Sequence, residues 1–110
     1  MTDKELLELA AKAADEKIDW DNIRDYGSFT AYRLRFENEF WNPLHDDGDA
    51  LRLAVKLHIA ITYPFDEDAV RVWYGHEDTD SIYEPLGSDP YAATRRAMVR
   101  AAAELGGKNE

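Results

Sequence analysis

Apolar residues in this chain recur first at helical spacing, then in alternation, then helically again, and each change of period is punctuated. Thr2-Asp3-Lys4-Glu5 opens the first segment as a capping box. The Thr2 hydroxyl can accept from the Glu5 amide while the Glu5 carboxylate reaches back to the amide of Thr2. Leu6, Leu9, Ala10 and Ala13 follow at helical spacing, with Leu7, Ala14 and Ile18 beside them, which predicts a helix over residues 3–17. Trp20 to Gly27 has no clean period and ends on a glycine, so a loop is expected there, with Trp20, Ile23 and Tyr26 docked on the core. From Ala31 the pattern alternates, with Tyr32, Leu34 and Phe36 against Ala31, Arg33 and Arg35, as in a strand. "ENE" reads as a turn and Phe40-Trp41 as a short returning strand.

Asn42-Pro43 stops that strand, because proline lacks the ladder donor and biases its predecessor towards an extended backbone. A helix is predicted from Gly48 to His58, with Leu51, Ala54, Val55 and His58 on one face and Leu53 and Leu57 widening it. "HIAITYPF" and "AVRVWYG" read as two strands of a hairpin joined at Pro64 to Asp68, "GHEDTD" as a polar connection, and "SIYEPLG" as a further short strand or an extended segment. The last helix begins at an Asp89 N-cap with Pro90 in its first position. Gly106 and Gly107 mark its expected end, before a frayed tail at 106–110. Thr94, Met98, Ala101 and Leu105 make its core stripe. The order α-β-(β)-α-β-β-(β)-α predicts a single small α+β domain spanning 1–110, three helices packed on a mostly antiparallel sheet of 3–5 strands.

Composition narrows the function classes. There is no cysteine, which excludes disulfides and thiolate metal sites. Apolar runs are too short to span a membrane and the first residues are too acidic for a signal peptide, so a cytoplasmic location is expected. The net charge is −10, from 23 acidic against 13 basic residues. Such a field repels phosphate backbones and anionic membranes and favours a protein partner with a basic surface, so no direct nucleic-acid or membrane binding is expected. No glycine-rich phosphate loop, nucleophile elbow or HExxH pair occurs, and neither a cofactor nor a catalytic residue is expected.

Two groups of residues are candidates for function. His45, Asp46, Asp47 and Asp49, with the acidic run His76, Glu77, Asp78 and Asp80, carry the donor types of a divalent-metal or small-ligand site. Their spacing fits no calcium loop, and the start of a helix accounts for the first group more simply: Asp46 or Asp47 caps it and Asp49 meets the positive end of its dipole. The second group follows from strand alternation. With Tyr32, Leu34, Phe36, Val70, Val72 and Tyr74 inward, Arg33, Arg35, Arg71 and Trp73 face outward, a candidate surface for a protein partner or an anionic ligand, since arginine and tryptophan are enriched at binding hot spots. That reading holds unless a second helix layer covers the face or neighbouring acids pair the arginines.

"FWNPLHDDGDALRLAVKL" at 40–57 and "DPYAATRRAMVRAAAELG" at 89–106 resemble small uncharacterised proteins encoded by tailed phages and prophages, described as a phage α-β-α sandwich domain. The resemblance covers residues 40–105 and brings no catalytic residues. It implies an accessory role, with helices on both sides of a sheet, a cover that would bury Arg33, Arg35 and Arg71. The expected function is therefore a non-enzymatic accessory protein that binds another protein, with inhibition of a host defence or nucleic-acid-binding protein as its sharper variant. The alternative is a domain binding a metal or small ligand through its acidic loops.

Overall fold

A computed structural model describes residues 1–75 and 80–108. Three helices, α1 (Asp3–Ala13), α2 (Asp47–Leu57) and α3 (Pro90–Lys108), combine with six short strands, which confirms the α+β class. The strands are β1 (Ile18–Asp25), β2 (Thr30–Leu34), β3 (Phe40–Trp41), β4 (Ala60–Thr62), β5 (Ala69–Tyr74) and β6 (Asp80–Pro85). They divide between two antiparallel three-stranded sheets, β1-β2-β3 and β4-β5-β6. No helix among the described residues is long and apolar enough to cross a membrane.

The capping box forms as expected, with the Thr2 amide donating to Glu5 Oε1 and the Glu5 amide to Thr2 Oγ1, both at 3.1 Å. The helix stops four residues earlier than its apolar spacing predicts. Asp15 takes a left-handed φ of 55°, its amide bonds the Lys12 carbonyl and the Glu16 amide bonds that of Ala11. This Schellman closure satisfies the last carbonyls and turns the chain into β1. The same closure ends α2, with His58 left-handed at φ 56° and the Ile59 amide on the Ala54 carbonyl. His58 is therefore exposed at a helix terminus and does not lie on the apolar face assigned to it.

The segment from Trp20 that reads as a loop is strand β1. Its pairing to β2 jumps from Asp19–Arg33 to Ile23–Tyr32, leaving Trp20, Asp21 and Asn22 as a bulge. Extra residues in one strand break the two-residue period, which is why alternation does not reveal it. Phe36, placed inward by alternation, is 81% exposed, because β2 ends at Leu34 and the Glu37 amide closes a turn on the Leu34 carbonyl. On α2 the buried residues are Asp49, Ala50, Leu53 and Ala54, while Leu51 and Val55 are 57% and 68% exposed. Two overlapping apolar stripes run along this helix, and packing selects the one bearing the smaller residues.

The core lies where α1 and α3 cross and where α3 covers β5 and β6, with Leu7, Val70, Val72 and Val99 fully buried. Alanines on both helices allow the close approach: Ala10 and Ala11 on α1, Ala97, Ala101, Ala102 and Ala103 on α3. The predicted α3 stripe is observed, with Thr94, Met98 and Ala101 buried and Leu105 packed against the core. Gly106 does not end the helix, which continues to Lys108. A side chain at Gly106 would run into the backbone of Leu9, so this glycine is required by the crossing of two helices.

Candidate functional site

The start of α2 gathers the first group of candidates, and each acts differently. Asp46 is the N-cap, its Oδ2 accepting from the Asp49 amide at 2.8 Å. Asp49 turns inward, 8% exposed, and accepts from the Asn42 amide at 3.0 Å and from Arg52 Nη2 at 2.7 Å. Asp47 holds Arg95 Nη1 at 2.7 Å, and Arg95 Nε donates to the Leu44 carbonyl, which ties α3 to this turn. His45 stacks on Phe29 with centroids 4.6 Å apart, and Phe29 stacks in turn on Tyr26.

Asn42, missed by sequence reasoning, is the hub beneath them. Its Nδ2 donates to the Thr30 carbonyl at 2.7 Å and its Oδ1 accepts from the Leu44 amide at 2.9 Å. It thereby joins the first sheet to the turn that launches α2. Burial raises the pKa of Asp49, against the opposing pull of the Asn42 amide and the Arg52 guanidinium. The Arg52 pKa is raised by its bond to Asp49, so the contact is favourable to both charges and the unfavourable part is desolvation.

Beside this turn lies a cleft of about 460 Å³, lined among others by Arg24, Phe29, Glu39, Phe40, Asp46 and Arg52. Arg24 sits over the Phe40 ring at 4.6 Å. The donors and acceptors of Asp46, Asp49 and Arg52 are largely satisfied by one another, and no three carboxylates or imidazoles among the described residues are placed to hold a metal ion. His76, Glu77 and Asp78 lie outside the described residues. Neither His45 nor His58 has a hydrogen bond to a serine or a carboxylate among the described residues, so neither forms part of a charge-relay arrangement there.

The second group is divided by the two sheets. Arg33 stands opposite Asp19 and Phe40 in the first sheet, and Arg35 is exposed in the turn after β2. Arg71 and Trp73 share one face of the second sheet. Cross-strand register places Thr62 and Tyr83 beside Arg71, and Ala60 and Ser81 beside Trp73. Helix α3 lies on the other face, where Glu84, in register with Val70, receives Arg100 at 3.2 Å and Arg96 at 3.7 Å. The Arg71 face is open to solvent at Ala60, Thr62, Tyr83 and Pro85, so the two-sided helix cover implied by the resemblance does not extend to it.

On that open face the Arg71 guanidinium lies 5.3 Å from the Tyr83 ring centroid and 5.9 Å from that of Trp73, and its Nη1 donates to Ser81 Oγ at 3.2 Å. Thr62 Oγ1 donates to the Arg71 carbonyl at 2.7 Å, fixing the strand edge beneath it. Tyr83 and Ser81 were not singled out from sequence, although their two-residue spacing within "SIYEP" is the alternation that would have found them. Among the described residues this face thus gathers one guanidinium, two aromatic rings and the hydroxyls of Thr62 and Ser81. No family model, curated protein or solved structure matches the chain.

Proposed function

We propose that this chain is a non-catalytic protein-binding domain that engages its partner through the open face of β4-β5-β6. The observation that carries this reading is the cluster of Arg71, Trp73 and Tyr83 on a sheet face that no helix among the described residues covers. Tryptophan, tyrosine and arginine dominate binding energy at interfaces, and here a rigid sheet presents all three together. The net charge of −10 supports a partner whose surrounding surface is basic, including one that itself binds nucleic acid. The resemblance of residues 40–57 and 89–106 to phage and prophage accessory proteins supports a role as such an accessory, with a host protein as partner and an inhibitory outcome.

Affinity capture from a bacterial lysate tests the reading, comparing the wild-type chain with a Trp73→Ala/Tyr83→Ala variant whose circular dichroism spectrum is unchanged. The expected result is a specific partner held by the wild type at raised salt and lost by the variant. Identical captures, or none by the wild type, overturn it.

A further inference from the structure

We infer that the open face of the second sheet receives a carboxylate of the partner at Arg71, from a single aspartate or glutamate set among apolar or basic neighbours. This rests on the preceding reading of the face and adds the chemistry of what docks there. Among the described residues Arg71 is the only charged side chain on that face, since the carboxylates of Asp80 and Glu84 fall, by register, on the side of Tyr74 and Val70. Arg52, Arg95, Arg96 and Arg100 each have a carboxylate within 4.0 Å. Like Arg24, Arg33 and Arg35, Arg71 has none among the described residues, although the chain carries 23 acids. Its described contacts are the two rings and one hydroxyl, which leave guanidinium donors unused.

Those contacts also fix how the group is presented. The Trp73 and Tyr83 rings and the Ser81 hydroxyl contact the half-buried guanidinium, so part of its side-chain freedom is already lost before binding. A planar fork held this way matches a carboxylate with two parallel hydrogen bonds. The surroundings limit which carboxylate fits. The β4-β5 turn that borders the face carries Asp66, Glu67 and Asp68, all exposed and without an ion-pair partner among the described residues. An acidic run would meet these charges and the −10 field within a Debye length of about 8 to 10 Å. An isolated carboxylate flanked by apolar or basic residues would not.

Selection of a random displayed-peptide library on the folded protein tests this. Enriched peptides should share one Asp or Glu beside aromatic, aliphatic or basic residues. Changing that acid to its amide should weaken binding about tenfold or more, and Arg71→Gln should do the same. Applied together the two changes should cost little more than either alone. Enrichment of acid-free peptides, indifference to the amide change, or tighter binding of a phosphoserine version would each overturn the carboxylate assignment. If Trp73→Ala abolishes binding but Arg71→Gln leaves it within about twofold, the inference fails and the binding face stands. If neither variant affects binding, or no peptide is enriched, both fail.

Discussion

The start of α2 and the open face of β4-β5-β6 are opposites in how their polar groups are used. At α2, three aspartates and a histidine in five positions have the appearance of a site, yet their bonds run mainly to the chain itself: a helix cap, the Asn42 amide, Arg52, Arg95 and a phenylalanine ring. On the sheet face Arg71 is the single charged side chain among the described residues, and its described contacts are two rings and one hydroxyl. Density of chemically capable residues therefore says little about function. What distinguishes the two places is whether the described chain already satisfies the groups it presents.

Substitutions at both places should widen or collapse that contrast. The largest effect is expected for Asn42→Ala, which strips partners from the Thr30 carbonyl and the Leu44 amide. Leaving both unsatisfied should cost about 3 kcal/mol in urea unfolding, and a loss below about 0.5 kcal/mol would mean the hub is dispensable.

Asp49→Asn should change the pH dependence of stability. Because burial in the folded state raises this carboxyl above its ordinary value, it binds the proton more tightly than the unfolded chain does, and stability falls as pH rises from the ordinary to the raised value. The asparagine variant lacks this slope. The wild type should thus hold its greatest advantage over the variant at the acidic end, as read from urea midpoints at about pH 3 and pH 7. An advantage that grows with pH would show that the bonds from Asn42 and Arg52 outweigh burial.

His58→Gly relieves a left-handed backbone at the other end of α2 and should add about 1 kcal/mol, or roughly 4 to 8 °C in melting temperature. A drop would show that His58 is held by more than its backbone. Smallest of all should be the stability change for Arg71→Gln, within about 0.5 kcal/mol, even where partner binding is lost. If Arg71→Gln unfolds the protein, the sheet face is scaffold after all and the contrast disappears.

Much of the element list was legible because it depends on short-range signals. The capping box at Thr2, the Asp89 cap and the alternation of "AVRVWY" each act within a few residues, and each appears where its residues place it. The failures share a cause of longer range. Strand β1 was hidden by a bulge that only pairing with β2 defines, and the inward face of α2 was ambiguous because Ala50, Leu53, Ala54 and Leu57 compete with Leu51 and Val55 at nearly the same spacing. The four candidate docking residues are divided between two places for the same reason, since alternation shows which way a side chain points but not which sheet it belongs to.

By itself the sequence determined the α+β class, the order of the elements apart from β1, the start of each helix to within a residue and the acidic charge, all of which follow from local hydrogen bonding, period and counting. Only the tertiary structure decided that the strands form two sheets, that Gly106 admits α1 against α3 instead of ending a helix, and that Arg71 is left without an acid among the described residues. These depend on which distant surfaces meet. A guanidinium or a glycine carries no mark of its neighbours until close packing and cross-strand register have brought them together.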